Sequence, residues 1–281
     1  MQYICSLSYG KDSIVIPEIC KRHGLPLDRI VHIEIMATPE IHSDLPPMLE
    51  FKKKADAIIK ERYGIEVDHI HAPKSYEELF YTQFQKGKRQ GEIYGFPMVR
   101  GAWCNDRLKL KPMRQFEKDT NVTLYLGICA DEPERLARLT GNKRSPAAEF
   151  GYTEADCRKM AEELDLLSPI YADAQRGGCW FCHNQGVDQL RKLRKNYPEY
   201  WQLLLKWDKD SKIVFKPNGH TVHDYDNRFQ LEDDGLVDTT KRFKWAMLKE
   251  TYVQTTLDSF VKKGNNNGNS LRNRPRNNGM R

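Results

Sequence analysis

The 281-residue sequence lacks any run of about 18 consecutive apolar residues, the length that a membrane-spanning helix needs. Its first five residues also lack the basic segment that opens a signal peptide. Hydrophobic residues make up 39% of the chain and charged residues 30%, which is typical of a soluble globular protein and not of a disordered or membrane one. We therefore expect a cytoplasmic protein with no membrane partner.

Acidic residues are missing from the last twenty positions, which hold the basic residues Lys262, Lys263, Arg272, Arg274, Arg276 and Arg281. The whole chain has 45 basic and 39 acidic residues, so the part before this segment is formally neutral. The segment is rich in Asn, Gly and Arg and cannot bury a core, which predicts a disordered basic tail. A nucleic-acid partner would suit such a tail, and so would a purely solubilising role.

No internal repeat is visible, and short β-rich runs alternate with helical stretches in the first two-thirds of the chain. This alternation predicts the α/β class, with an open, mostly parallel sheet and helices on both faces. The predicted strands are residues 3–7, 29–36, 65–70 and 122–129, and the predicted helices are 11–23, 48–63, 153–164, 187–206 and 241–261. We predict three parts: an α/β domain at 1–185, a helical C-terminal extension at 186–261 and the basic tail at 262–281.

Residues 6–13, Ser-Leu-Ser-Tyr-Gly-Lys-Asp-Ser, follow the first predicted strand and open the first predicted helix. A glycine there lets the backbone approach an anion, and the helix N-terminus offers free amides to phosphate. The spacing is neither that of a Walker A loop nor that of the Gly-x-Gly-x-x-Gly dinucleotide turn. A helix-capping turn is the alternative to a phosphate-binding loop, which would use Ser6, Ser8, Tyr9, Gly10, Lys11, Asp12 and Ser13.

Residues 8–13 resemble the PP-loop, whose pattern is Ser-Gly-Gly-x-Asp-Ser, with Tyr9 in place of one glycine. Residues 3–186 in general, and the segments 94–97, 103–104, 108–112 and 126–135 in particular, are similar to the phosphoadenosine phosphosulfate (PAPS) reductase and adenine nucleotide α-hydrolase superfamily. The resemblance is to its sulfurtransferase-like branch. It implies an adenine nucleotide, ATP or PAPS-like, held with Mg²⁺ by the loop. By position, the base and ribose would be lined by Glu34, Met36, Gly127 and Ile128.

Charged residues near the same predicted sheet edge are further candidates. Basic side chains there could contact phosphates, and acidic ones could hold a metal or orient a base. An ordinary surface ion pair is the alternative for each of them. Beside Lys11 and Asp12, the catalytic or phosphate-binding candidates are Lys109, Lys111, Asp131 and Arg135, with Arg107 and Glu132 as additional ones.

The seven cysteines of a cytoplasmic chain point to metal binding, catalysis or burial and not to a disulfide scaffold. Cys179 and Cys182 form a Cys-x-x-Cys pair after two glycines, a spacing that lets two thiolates reach one metal ion. With Cys104 as a third ligand, and Cys129 or alternatively His183 as a fourth, the set could bind zinc or an iron–sulfur cluster. The resemblance favours the cluster, while a redox dithiol and plain burial stay open for the pair.

Three functions fit these features. In the first, ATP adenylates an oxygen of a nucleic-acid or small-molecule acceptor, and sulfur from a donor protein then displaces AMP. The second is a PAPS or APS-type sulfonucleotide reductase that uses a reductant protein, although the chain has no cysteine after Cys182 to serve as that family's C-terminal catalytic residue. The third is a non-catalytic nucleotide-binding module. We predict a PP-loop transferase or reductase.

Overall fold

The computed structural model describes residues 1–97, 102–119, 121–172 and 177–248. The chain divides between Gly219 and His220 into two compact units. The first unit carries the sheet and every site residue discussed below. The predicted boundary at residue 185 falls inside this unit, and the predicted tail at 262–281 lies outside the described residues.

The described strands form a five-stranded, all-parallel, open sheet with the order β3-β2-β1-β4-β5. The predicted α/β class is therefore confirmed. The order reverses between β1 and β4, and ligands of open α/β sheets bind at such a switch point, outside the carboxyl ends of the strands. The strands are β1 (Gln2–Leu7), β2 (Arg29–Glu34), β3 (Val67–His71), β4 (Val122–Leu126) and β5 (Lys143–Arg144).

Ten α-helices lie in the described residues. A π-helical segment, Asn105–Leu110, runs directly into one of them, and Pro169–Ala172 is a 3₁₀ turn. The helices are α1 (Ile16–His23), α2 (Pro46–Tyr63), α3 (Tyr76–Phe80), α4 (Lys111–Glu117), α5 (Pro133–Leu136), α6 (Pro146–Glu149), α7 (Glu154–Glu163), α8 (Val187–Asn196), α9 (Pro198–Asp210) and α10 (Val222–Asp233).

Alternate residues of β1 face two separate hydrophobic clusters. Cys5 and Leu7 belong to a cluster with buried residues of α1, α2 and α7. Ile4, which precedes Cys5, packs in a second cluster with Met113 and Phe116 of α4. Since successive side chains of a strand point to opposite faces, these clusters are the two covered faces of the sheet.

The first helix begins later than the sequence predicts. Residues 11–15 form hydrogen-bonded turns, and α1 starts at Ile16. Pro17 has no backbone N–H and therefore fits the first turn of a helix, where no intrahelical partner is needed. The predicted phosphate loop is consequently a set of turns between β1 and α1.

Three further predictions about elements change for local reasons. The predicted helix at 187–206 is two helices, α8 and α9, because Pro198 begins a new first turn. Residues 216–238, which no predicted helix or strand covers, contain α10, which starts at a capping box formed by Thr221 and Asp224. Strand β5 is only two residues long and has no recognisable sequence pattern. Most of the predicted helix at 241–261 lies outside the described residues.

Within the described residues, no helix combines the length and the apolar character needed to cross a membrane.

Candidate active site

A cavity of about 350 Å³ lies against the loop that follows β1. Its lining brings together parts of the chain that are far apart in sequence. Lys109 of the π-helical segment and Cys179 of the Cys-x-x-Cys pair both contribute to it. The other lining residues are Ser6, Leu7, Ser8, Tyr9, Gly10, Asp12, His32, Ile33, Ile35, Ser43, Asp44, Met48, Lys52, Met113, Ile170, Tyr171, Gly177 and Gly178.

The loop between β1 and α1 is closed by its own serines. The Ser8 amide donates to Ser13 Oγ at 3.0 Å, and the two hydroxyl oxygens lie 2.8 Å apart. The Ser13 amide donates to the Gly10 carbonyl at 3.1 Å. These bonds fold the segment into a compact turn of the kind that directs backbone amides toward an anion.

Tyr9 takes the place and the backbone conformation of a glycine. Its φ is 54°, in the left-handed region that side-chain-bearing residues seldom adopt. The ring is buried, its hydroxyl donates to the Asp56 carboxylate, and His69 Nε2 lies 3.2 Å from the same oxygen. Burial, followed by the bond to Asp56, raises the Tyr9 pKa far above its ordinary value. The phenol is therefore a neutral donor that anchors a strained turn.

Gly127 supports the loop from behind. A Cβ atom at this position would lie 2.5 Å from Ser13 Cα and 2.6 Å from Ser13 N, closer than real Cβ contacts. The end of β4 and the phosphate loop can therefore meet only because Gly127 has no side chain. Gly127 and Ile128 do not line the cavity, and their predicted contacts with base and ribose stay predictions.

Lys11 and Asp12 form an ion pair beside the loop. Lys11 Nζ lies 2.7 Å from Asp12 Oδ1 and 2.5 Å from Glu154 Oε2. Burial lowers the Lys11 pKa, but the two carboxylates raise it by more, so the net shift is upward. Asp12 lines the cavity, whereas Lys11 does not, and the Lys11 ammonium is paired with the carboxylates of Asp12 and Glu154.

Lys52, a buried lysine in the cavity wall, was not predicted from the sequence. Lys52 is 4% exposed, and its Nζ lies 2.8 Å from His32 Nε2 and 2.6 Å from Asp44 Oδ2. His32 Nδ1 donates to the Leu7 carbonyl at 2.8 Å, because a carbonyl only accepts and the ammonium of Lys52 only donates. Burial, followed by the charge of Lys52, lowers the His32 pKa to about 3, so this imidazole is neutral. A signal existed, since Lys52 falls on the apolar stripe of α2 with Ala55.

Glu34 and Met36, predicted to line the base, lie beside the cavity and not in its lining. Glu34 Oε1 is 3.4 Å from His69 Nδ1 and 3.8 Å from Lys52 Nζ. The Met36 carbonyl accepts a hydrogen bond from the Tyr76 amide at 2.8 Å. Glu34 thus belongs to the charged network around Lys52, and Met36 positions the start of α3.

The other predicted charged residues have mostly local partners. Arg107 donates to the Tyr94 hydroxyl at 3.0 Å, and Lys111 is exposed at the start of α4. Asp131 accepts the Glu154 amide at 3.0 Å and so caps α7. Among the candidates outside the loop, the cavity lining includes Lys109 and omits these three.

Arg135 and Glu132 form a pair of their own. Arg135 Nη1 lies 2.5 Å from Glu132 Oε1, and the other Glu132 oxygen accepts the Cys129 amide at 3.0 Å. Neither side chain lines the cavity. Their contacts are those of an ordinary surface ion pair.

Cys104, Cys179 and Cys182 are grouped around Tyr76. Burial raises the pKa of Cys104 to about 11 and that of Cys179 to about 12, and in both the charge of Cys182 adds to the shift. Burial and then the charges of all three cysteines raise the Tyr76 pKa well above its usual value. Their sulfur atoms do not all lie within 4.8 Å of one another, whereas the ligand atoms of Asp12, Cys129 and Cys157 do.

Tyr76 carries an unusual polar atom for a core residue. Its ring is 1% exposed and packs 4.2 Å from Phe181 and 5.0 Å from Trp103, measured between ring centroids. Its hydroxyl is buried and has no hydrogen-bond partner among the described residues. Leaving a buried donor unsatisfied is unfavourable by about 1–3 kcal/mol, so such a group calls for an explanation.

The Cys-x-x-Cys turn is fixed against the loop that follows β2. The Trp180 amide donates to the Ser43 carbonyl, and its indole Nε1 donates to the His42 carbonyl, both at 2.9 Å. Gln185 Nε2 donates to the Cys179 carbonyl at 2.9 Å. These bonds hold Cys179 at the cavity.

Cys129, predicted as a possible fourth ligand, contacts a different cysteine. It is fully buried, its thiol lies 3.5 Å from the Cys157 sulfur, and both sulfurs lie close to Asp12. The turn after β4 directs Cys129 into the core beneath the phosphate loop, so its neighbours are not Cys104, Cys179 and Cys182. Cys157, like Cys5 and Cys20, is a buried core residue, as its position on a predicted element indicates.

The alternative ligand, His183, is 7% exposed and follows Cys182 directly. Its carbonyl accepts a hydrogen bond from Lys216 Nζ at 2.7 Å. Burial lowers the Lys216 pKa to about 8, and the nearby Cys182 charge opposes this shift. Lys216 is therefore a second buried lysine that the sequence analysis missed, placed beside the cysteine group.

A second cavity of about 330 Å³ adjoins the first. The two share Asp44, Met48, Ile170 and Gly178 in their linings. The second cavity has mostly apolar walls with a few amides and one lysine. Its remaining lining residues are Leu45, Pro47, Pro169, Trp180, Gln185, Gln189, Lys192, Leu193, Asn196 and Tyr197.

Comparisons with known proteins give limited matches. No family model matches the chain. An uncharacterised nin-region protein of Escherichia phage lambda, ORF290, is 32% identical over 102 residues, a match that spans 34% of this chain and 34% of that protein. The chain thus covers about a third of this relative's length. The U34-tRNA thiolase NcsA from Methanococcus maripaludis, solved with its [4Fe-4S] cluster, aligns over 81% of this chain and 80% of its own, with a TM-score of 0.36 and 16% identity.

Proposed function

We propose that this chain is an adenine-nucleotide-dependent enzyme that adenylates an acceptor and couples this step to sulfur transfer. The observation that carries the proposal is the lining of one cavity by the phosphate loop, Lys109 and Cys179. Its volume of about 350 Å³ lies within the range of small-ligand sites, about 300–1,000 Å³. Phosphate binding and thiol chemistry would then meet at one place.

The loop would bind the phosphates of ATP. The amides and hydroxyls around Ser8 and Gly10 would supply donors, and Lys109 of the π-helical segment would supply a positive charge. Mg²⁺ prefers carboxylate and phosphate oxygens, and the Asp12 carboxylate in the cavity lining fits that preference. Lys11, held by Asp12 and Glu154, would orient Asp12.

In the first step an oxygen of the acceptor attacks the α-phosphorus of ATP. The new O–P bond forms as the bond to the β-phosphate oxygen breaks, pyrophosphate leaves, and the acceptor's proton passes to solvent. In the second step sulfide, HS⁻, forms a bond from its sulfur to the activated atom. AMP leaves with the original oxygen and its electron pair, so no net oxidation is needed with a sulfide donor.

The residues Cys104, Cys179 and Cys182 fit an iron–sulfur cluster better than a single zinc ion. The three thiols interact electrostatically, yet their sulfur atoms do not all lie within 4.8 Å of one another. Three thiolates that bind one zinc ion at about 2.3 Å would have their sulfur atoms within about 4 Å of one another. The unpartnered Tyr76 hydroxyl would find an acceptor in the sulfur of such a group. The cluster, when bound, would supply a thiophilic centre beside the nucleotide.

The acceptor would enter through the second cavity. Its apolar walls and amide groups, with Trp180 and Tyr197, suit a planar molecule that is polar at its edge. A nucleic-acid acceptor and a small-molecule acceptor both meet this description. The basic segment at 262–281 would favour the nucleic acid, and the sulfur donor would be a partner protein or free sulfide.

The test is product analysis with purified, anaerobically prepared protein. ATP labelled at the α-phosphate is incubated with Mg²⁺, a sulfide donor and a cellular nucleic-acid pool, and PAPS is offered in a parallel reaction. We expect AMP and pyrophosphate to form only with acceptor present. Ser8→Ala should reduce nucleotide binding, while the exposed Lys53→Ala on α2 serves as the matched control.

Other outcomes separate the alternatives. Sulfite release from PAPS would favour the sulfonucleotide reductase, in which a thiol attacks the sulfur of the nucleotide. ATP that binds but stays intact with every acceptor would favour the non-catalytic module. The absence of adenine-nucleotide binding in equilibrium dialysis would overturn the proposal as a whole.

A further inference from the structure

Lys52 lies among groups whose ligand atoms are close enough together to hold a metal ion. His32, Glu34 and His69 each offer one ligand atom, and these atoms lie within 4.8 Å of one another. Two imidazoles and one carboxylate are a donor set typical of divalent transition metals. The set lies at the carboxyl ends of β2 and β3, beside the cavity that His32 and Lys52 line.

The Lys52 ammonium lies against this set. Its Nζ is 2.8 Å from His32 Nε2 and 3.8 Å from Glu34 Oε1, and its third near partner is Asp44 at 2.6 Å. His69 Nδ1 lies 3.4 Å from Glu34 Oε1, and His69 Nε2 lies 2.9 Å from Asp56 Oδ2. A cation bound by imidazole nitrogen and carboxylate oxygen is therefore already present, and it is covalently part of the chain.

We propose that Lys52 is a resident cation that takes the place of a divalent metal ion in a His32–Glu34–His69 site. Partly burying Glu34 and Asp44 without a counter-charge would be unfavourable, and the ammonium offsets that penalty as a metal would. It also brings a fixed positive charge to the wall that carries the phosphate loop, 5.3 Å from the centre of the Tyr9 ring. Lys52 is thus a positioning residue that holds the acids of this wall.

The proposal predicts that shortening Lys52 opens a metal site. Lys52→Ala removes the ammonium and leaves space next to His32 Nε2, so the full-length variant should bind about one more Co²⁺ per chain than the wild type. Because the cysteines also bind cobalt, the readout is the difference in Co²⁺ stoichiometry and in the visible d–d absorption between variants that all retain them. Lys53→Ala should match the wild type, and Lys52→Ala/His69→Ala should lose the added ion.

No additional Co²⁺ in a folded Lys52→Ala protein would overturn the proposal. If this variant fails to fold, the wild type provides a second measurement, the tautomer of His32 from long-range ¹H–¹⁵N NMR. A proton on Nδ1, with Nε2 free to accept from Lys52, supports the proposal, and a proton on Nε2 overturns it. Neither readout involves nucleotide or sulfur transfer, so failure here is separate from failure of the proposed function.

Discussion

Two walls of the first cavity differ in how they are held together. The loop wall consists of Ser8, Gly10 and Asp12, and close backbone contacts support it, above all that of Gly127 against Ser13. The cysteine wall is Cys179, which lines the cavity, together with its neighbours Cys104 and Cys182, and aromatic packing around Tyr76 supports it. Small residues allow the first wall to approach a ligand closely, while large rings enclose the second.

Each wall has its own cysteines, and their surroundings give them different roles. Behind the loop wall, Cys129 and Cys157 are fully buried and lie with their sulfurs 3.5 Å apart. The members of the cysteine wall are only partly buried and surround a tyrosine hydroxyl without a partner. Cysteine count and spacing thus suggest a metal site, but the residues that surround each cysteine in the fold decide which cysteines belong to that site.

The largest expected effect separates the two cysteine groups. Cys179→Ala should lose essentially all bound metal after anaerobic purification, because it removes a thiolate from the proposed set. Iron, zinc and acid-labile sulfide contents provide the measurement, with a broad absorption near about 400 nm as the sign of a cluster. Cys157→Ala should keep its full metal content and lose only stability. Equal metal loss in both variants would break the comparison.

The next effect concerns the support of the loop wall. Gly127→Ala places a Cβ against the Ser13 backbone, so the loop must shift. We expect the free energy of unfolding to fall by about 1–3 kcal/mol, as in other overpacked sites, and ATP binding to weaken with it. Urea unfolding and equilibrium dialysis measure the two. Gly177→Ala, whose Cβ would meet only the end of the Ile170 side chain at 3.5 Å, should leave stability nearly unchanged.

A smaller effect tests the cysteine wall through Tyr76. In metal-free protein, Tyr76→Phe removes a buried donor without a partner, and we expect stability to rise by about 1 kcal/mol. In metal-loaded protein the same change would remove a hydrogen bond to the bound group, so stability should fall by about 0.5–1.5 kcal/mol. Urea unfolding of both forms shows whether the sign reverses. A rise in both forms would mean that the hydroxyl does not contact the group.

The last effect is a pH dependence at His32, which lines the cavity beside the loop wall. The folded protein holds the His32 pKa at about 3, below its ordinary value of 6.5, so the unfolded state binds more protons between these values. The contribution of neutral His32 to the free energy of unfolding is therefore complete above pH 6.5. This contribution declines as the pH falls toward 3, by up to about 1.4 kcal/mol per pH unit.

His32→Asn is the control for this pH dependence, because an asparagine amide can still donate to the Leu7 carbonyl but does not titrate. Urea unfolding between pH 7.5 and 5 should show a shallower decline for this variant. Identical slopes would mean that His32 does not lie neutral beside Lys52.

Local signals predicted much of the fold, and long-range contacts explain most of what they missed. Alternation of β-rich and helical segments identified four strands and the helices α2 and α7, since burial on one or both faces leaves a periodic pattern. The pattern places Lys52 on the apolar stripe of α2 but could not show its partners, because Asp44 and His32 come from other parts of the chain. It also could not show that Cys129 lies against Cys157, since the direction of the turn after β4 depends on packing.

The sequence by itself determined the α/β class, the loop after β1 and the Cys-x-x-Cys turn, because each depends on a short stretch of chain with its own geometry. The tertiary structure alone decided that Tyr9 adopts a glycine-like φ, that Gly127 meets Ser13, and that Cys179 lies across a cavity from the loop. These features join residues more than 100 positions apart or depend on burial. Such contacts arise only when the sheet and its helices pack together.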